Sequence, residues 1–160
     1  MPVSCKGVTI TKFSIGTNKS LRRIYFTDFN EITSIPISDC EDMTSLEYYE
    51  FNKLNNLITI SDYSFHNCIN LIGSILPDSI EEIGFQSFFG CENITFTKLP
   101  FNLNKLNEMA FRKCTSLAAL NINCPSLISI PSFCFYDCIN LQILEETLPD
   151  SIIEVGQEAF

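Results

Sequence analysis

Residues 80–94 read IEEIGFQSFFGCENI, and the chain writes this stretch several times with variations. The same template organises Leu57–Leu71 (LITISDYSFHNCINL), Leu103–Leu117 (LNKLNEMAFRKCTSL) and Leu127–Leu141 (LISIPSFCFYDCINL). Each block holds an apolar residue, two residues, an apolar residue, four residues, Phe, two residues, Cys, two residues and a last apolar residue. The Phe column is Phe65, Phe88, Phe111 and Phe135, with Phe160 in the same register, and the Cys column is Cys68, Cys91, Cys114 and Cys138. A degenerate copy opens at Ile32 and Ile35, with Cys40 in the Phe slot and Met43 in the Cys slot. From Ile32 to Ile152 the period runs 25, 23, 23, 24 and 25 residues. Self-similarity at this period is the mark of a stacked repeat.

Length varies only between blocks, where the next start lies 11, 9, 9, 10 or 11 positions after the last apolar residue. Stacked coils require that arrangement, since inward side chains keep register while outer turns adjust. After each block comes an extended candidate, such as Leu46-Glu47-Tyr48-Tyr49-Glu50-Phe51, Leu117–Ile122 or Leu141–Leu144, with a partial Leu-x-x-Leu-x-Leu pattern. A turn follows, as in Leu76-Pro77-Asp78-Ser79-Ile80 and Leu148-Pro149-Asp150-Ser151-Ile152, because proline fixes φ and Asp and Ser supply turn chemistry.

The combination of Ile83-Gly84, Phe88 and Cys91 with L-P-D-S-I resembles the BspA-like, or Treponema pallidum type, class of leucine-rich repeats. The resemblance covers residues 32 to 160; the first copy departs from it in lacking both Phe and Cys. It implies an α/β repeat solenoid: coils of 23–25 residues, a parallel concave β-sheet, and short helical turns and irregular structure on the convex side. Five coils are expected over 32–160, the last incomplete, with residues 1–31 forming a cap built as a hairpin around Gly16-Thr17-Asn18. The resemblance further implies a protein-interaction module, often a surface adhesin in host-associated bacteria and parasitic protozoa.

Neighbouring strands of a parallel sheet lie about 4.8 Å apart, so each column becomes a ladder through the core. The phenylalanines are expected to stack as an offset spine. The column cysteines act as small buried hydrophobes; their parallel Cβ vectors oppose disulfide closure. A zinc site from Cys114, Cys134, Cys138 and Cys124 lacks the C-x2-C spacing such sites use. Only Cys5 is placed where an exposed thiol could sense redox state.

The 160 residues suit one domain, and 46% hydrophobic content supports a core. Ten Lys and Arg against 19 Asp and Glu give a net charge of -9, which opposes binding to nucleic acid and to anionic membranes. No apolar run is long enough to insert in a bilayer, and no basic-then-apolar leader opens the chain. His66 shares its slot with Phe89, Arg112 and Tyr136, which reads as a solvent-facing turn position. No phosphate-binding, zincin or nucleophile-elbow motif occurs, so no catalytic residue, metal or cofactor is assigned.

Binding of a protein partner remains, through the outward positions of the sheet. Phasing the strands on the leucines turns Tyr48, Gly73, Phe96, Ala119 and Ile143 outward, then Glu50, Ile75, Lys98, Asn121 and Glu145. Tyr48, Glu50, Phe96, Lys98, Asn121, Ile143 and Glu145 are therefore the expected contact residues. The final copy stops before its Cys slot, so either the chain is a piece of a longer one or a second copy covers the open end as a homodimer. The expected location is cytoplasmic, with reduced thiols. The alternative is the cell surface by an unconventional route.

Overall fold

The structure is a computed structural model and describes residues 15, 18–26, 31–73, 75–142 and 148–160. The regular elements are two-residue strands: β1 (Arg23–Ile24), β2 (Ser34–Ile35), β3 (Tyr48–Tyr49), β4 (Thr59–Ile60), β5 (Glu82–Ile83), β6 (Lys105–Leu106), β7 (Ser129–Ile130) and β8 (Glu154–Val155). Every pairing is parallel and joins residues 23 or 25 apart, such as Ser34 with Thr59 and Thr59 with Glu82. The chain is therefore a solenoid of stacked coils. Its helical content among the described residues is one 3-10 turn, Phe51–Lys53.

The longest ladder, β2-β4-β5-β6, lies inside the blocks at the second apolar position, and β7-β8 occupies the equivalent place. The segments after the blocks, where the sequence pattern predicts the strands, are fragmentary. They give β1-β3 and the isolated bridges Lys98 to Asn121 and Ala119 to Gln142. The reason is register. Block spacing never changes, so residue pairs with residue, whereas connectors of unequal length cannot pair continuously. The Phe51–Lys53 turn takes up the extra residues of the long connector after Leu46.

A second ladder runs through the turns around the Phe column. The amides of Tyr63, Phe65 and Asn67 donate to the carbonyls of Phe85, Ser87 and Phe89 at 2.9, 2.8 and 2.7 Å. The triplet recurs from Gln86, Phe88 and Gly90 to Glu108, Ala110 and Arg112. It recurs again from Met109, Phe111 and Lys113 to Ser132, Cys134 and Tyr136, bridging the place where β6 and β7 do not pair. Aiming alternate amides at the next coil requires left-handed backbone two residues before and after each Phe slot. Tyr63, Gln86, Met109 and Phe133 accordingly have φ of 50–56°, and Asn67, Gly90, Lys113 and Asp137 have φ of 56–69°. Left-handed conformations cost roughly 1–2 kcal/mol for a residue with a Cβ. They persist because the stack over-determines them.

The rings of Phe65, Phe88, Phe111, Phe135 and Phe160 stack in sequence, with centroids 5.3–5.5 Å apart and planes within 4° of parallel. Centroids that far apart in parallel rings mean an offset stack, which suits the ring quadrupole. Beside them, the thiols of Cys68, Cys91, Cys114 and Cys138 donate to the carbonyls of Cys40, Phe65, Phe88 and Phe111 at 3.0–3.2 Å. The Cys column thus supplies both small apolar bulk and a donor for the Phe-slot carbonyl of the preceding coil. The L-P-D-S-I turn is tied down similarly: Ser79 and Ser151 donate to the carbonyls of Leu57 and Leu127 at 2.7 Å.

Leu21 to Phe26 continues the solenoid. Ile24 and Phe26 are buried, β1 pairs in parallel with β3 at an offset of 25, and Phe26 packs on Tyr49 at 5.0 Å. This part of the expected cap is a further coil segment. The hairpin around Gly16-Thr17-Asn18 lies outside the described residues, apart from Asn18.

Candidate interaction face

The outward side of the segments after the blocks is where the sequence places the contact residues. On β3, Tyr49 turns inward and Tyr48 outward, its ring 5.5 Å from that of Tyr25 at 41°. Partial burial, with Glu50 nearby, pushes the Tyr48 phenol above its ordinary pKa. Glu50 is half-buried, and its carboxylate accepts the Phe26 amide at 2.9 Å. Lys98 is also half-buried and reaches both carboxylate oxygens of Asp78, at 2.8 and 3.0 Å. The Lys98 ammonium holds the Asp78 carboxyl below its ordinary range. Asn121 is exposed, and its backbone N–H donates to the Thr97 carbonyl at 2.9 Å. Ile143 and Glu145 lie outside the described residues.

Phe96 corrects the expectation. It is 4% exposed and points into the core, edge-on to Phe88 at 5.5 Å and to Phe51 and Phe111 at 6.2 and 6.4 Å. The coil before it has no large inward side chain between Leu71 and Leu76, and Gly73 stands beside the vacancy. A Cβ at Gly73 would lie 2.3 Å from Cε1 of Phe96. The missing Cβ admits the ring, and Phe96 fills volume that its neighbouring coil leaves open.

His66 is corrected as well. Its side chain is 18% exposed and stacks on Phe89 at 5.0 Å and 14°. It belongs to a half-buried outer row in which Tyr63 meets Phe85 and the Arg112 guanidinium sits 4.9 Å from the Tyr136 ring centroid.

With Phe96 inside, the outward apolar groups among the described residues include Tyr25, Tyr48, Ile72, Ile75 and Phe101; the two isoleucines are 56% and 62% exposed. A groove of about 420 Å³ is lined by Arg23, Tyr25, Glu47, Tyr48 and Ile72. A second, of about 340 Å³, runs past Asn52, Asn55, Ile75 and the Lys98–Asp78 pair. Sequence phasing on the leucines misses Arg23, Tyr25 and Ile72. A signal for the first two exists: Leu21, Ile24 and Phe26 repeat the intervals of Leu46, Tyr49 and Phe51.

The carboxylates and cations along this face meet each other. Arg22 binds Glu47 through Nε at 3.0 Å and through Nη2, and that contact holds the Glu47 carboxyl below its ordinary range. Among the described residues, no group of three or more His, Cys, Asp and Glu side chains converges as metal ligands would. Burial pushes the thiols of Cys91, Cys114 and Cys134 well up and that of Cys68 to about 12, so these are poor nucleophiles. No helix among the described residues is long and apolar enough to cross a membrane.

Comparison with known proteins agrees with this architecture. A family model described as BspA type leucine rich repeat region, with 6 copies, matches residues 58–160. No curated protein matches the chain in sequence. Among solved structures, the Treponema pallidum leucine rich repeat protein is 20% identical with TM-score 0.65, the match covering 86% of this chain and 74% of that one. A leucine-rich repeat protein from Bacteroides ovatus is 21% identical with TM-score 0.63, over 85% of this chain but 39% of the other. A leucine rich cell surface protein from Faecalibacterium prausnitzii is 16% identical with TM-score 0.54, over 91% of this chain and 53% of that one.

Proposed function

Because this chain belongs to the BspA-type leucine-rich repeat family, we propose that it is a non-catalytic module that binds a protein partner through the face carrying Tyr48, Lys98 and Asn121. Solenoids of this kind generally serve protein interaction, since each coil adds surface without enclosing a site. The observation that carries the reading is the groove that Tyr25, half-buried Tyr48 and Ile72 form across successive coils, with the exposed Ile75 lining a second groove beyond Ile72. Apolar groups in a contiguous rimmed patch mark interaction sites. A photo-crosslinking residue at position 48, introduced in the native cell, should yield a discrete protein adduct that is absent when the probe sits at the exposed Ile139. Equal labelling from both positions contradicts the reading.

Two settings fit such a module: a surface adhesin and an intracellular scaffold. The Faecalibacterium neighbour is a cell surface protein by name, which supports the first. The thiol ladder supports the second, because the column cysteines donate to carbonyls as intact S–H groups, which a reducing cytoplasm preserves. Alkylation at lysis decides between them. Eight reactive thiols, most of them only after denaturation, would place the chain in the cytoplasm, and a shortfall without reductant would place it outside.

A further inference from the structure

We propose that the groove between Tyr25, Tyr48 and Ile72 receives an acidic segment of a partner protein, an aromatic or aliphatic side chain entering the groove while an adjacent carboxylate pairs with Arg23. The proposal rests on the interaction reading above and adds the chemistry of the partner.

The groove has the right walls. The two tyrosine rings pack on each other, 5.5 Å apart and 41° from parallel, and together form one aromatic wall of the groove. Ile72 lies beside them, 56% exposed, and the space is about 420 Å³, ample for one large side chain. Tyrosine and arginine are among the residue types enriched at interface hot spots, tyrosine through large rigid contact area and arginine through its planar donors.

The charge pattern selects the sign of the partner. The chain as a whole carries -9, so an acidic partner is repelled over most of its surface. Here two guanidiniums, Arg22 and Arg23, stand with two carboxylates, Glu47 and Glu50, so the local charge is balanced and the partner is selected by the donors left uncommitted. Arg22 takes Glu47 Oε1, while Arg23 Nε lies 3.7 Å from Oε2, beyond a hydrogen bond. The Arg23 side chain is 62% exposed. The other carboxylate beside Tyr48 is Glu50, and it already accepts the Phe26 amide. Arg23 is thus ion-paired to Glu47 through Nε, while its two terminal amino groups meet no acceptor among the described residues and can bind a second carboxylate. Next to it the aromatic groove rewards an apolar neighbour, so an acidic residue adjacent to a large apolar one is the pattern that satisfies both.

A phage-displayed library of random dodecapeptides, panned on the full chain, tests this, followed by fluorescence polarisation with synthetic copies of the enriched peptides. Enriched sequences should carry Asp or Glu within two residues of an aromatic or aliphatic side chain. Arg23→Glu should weaken them at least tenfold, and a peptide with its acidic residue changed to Lys should regain affinity for that variant. Tyr48→Ser with Ile72→Ser should weaken them similarly, and Ile139→Ser should not; unchanged far-UV circular dichroism shows that each variant folds. Enrichment without acidic bias, indifference to Arg23→Glu, or no enrichment at all overturns the acidic-segment proposal. Peptides that ignore Tyr48→Ser with Ile72→Ser as well place binding off this face and overturn the broader reading too.

Discussion

From coil to coil the Phe rings of the block stay 5.3–5.5 Å apart and within 4° of parallel. Two residues past the block, by contrast, the chain places an outward tyrosine, then a glycine, then a buried phenylalanine: Tyr48, Gly73 and Phe96. The difference follows from what each position touches. A Phe in the spine meets its own equivalent above and below, so any change of size or register is felt twice. A residue after the block meets whatever the neighbouring connector supplies, and connectors differ in length. The block is therefore a scaffold that tolerates little. The face after the block is free to vary, as a recognition surface must be.

The comparison breaks most severely if the spine can be cut without consequence. Phe88→Ala or Phe111→Ala should lose roughly 3–5 kcal/mol of stability in urea denaturation, from transfer free energy plus a cavity. Either variant unfolding at the wild-type midpoint would contradict the stack.

Alkaline pH provides a second test of the block. Burial raises the folded-state pKa of Cys68 to about 12 and of Cys124 to about 11, and raises Cys91, Cys114 and Cys134 as well. The contribution is complete below the unfolded thiol pKa, near 9, and is lost as pH rises through the folded values. The unfolded chain sheds these protons first, so each thiol should remove about 1.4 kcal/mol per pH unit above that point. Urea midpoints should fall steeply from pH 9 to 11, and Cys68→Ala should flatten that slope by one thiol's share. A flat profile would show that the thiols are not buried.

A smaller effect sharpens the contrast between block and connector. Gly73→Ala should lose about 1–3 kcal/mol by driving a Cβ into the Phe96 ring. Combined with Phe96→Leu, the two losses should be less than additive, because the smaller side chain removes the collision. Strict additivity would mean that Phe96 does not fill the space at Gly73. The smallest effect belongs to the outward strip: Ile75→Ser should change stability by only about 0.5 kcal/mol, since Ile75 is 62% exposed.

The period, the Phe and Cys columns and the solenoid were legible in the sequence because stacking constrains each of those residues individually. The position of the continuous sheet was less so. Its outward residues, Ser34, Thr59, Glu82 and Lys105, share no chemistry, and only their inward neighbours Ile35, Ile60, Ile83 and Leu106 repeat. The candidate site was legible in part. Tyr48, Lys98 and Asn121 follow from counting past each block, but the direction of Phe96 depends on Gly73 in another coil, a non-local fact that counting cannot supply. Arg23 and Tyr25 were obscured because the coil they belong to has no recognisable Phe or Cys.

Native-state hydrogen exchange tests the division between rigid block and free face most directly. The amides of Phe65, Phe88, Phe111 and Phe135 each donate to the next coil at 2.7–2.9 Å and should exchange only through global unfolding. Those of Gly73, Ile75 and Thr95, for which no hydrogen bond to a neighbouring coil is found among the described residues, should exchange orders of magnitude faster by local opening. Equal protection in the two sets would contradict the account.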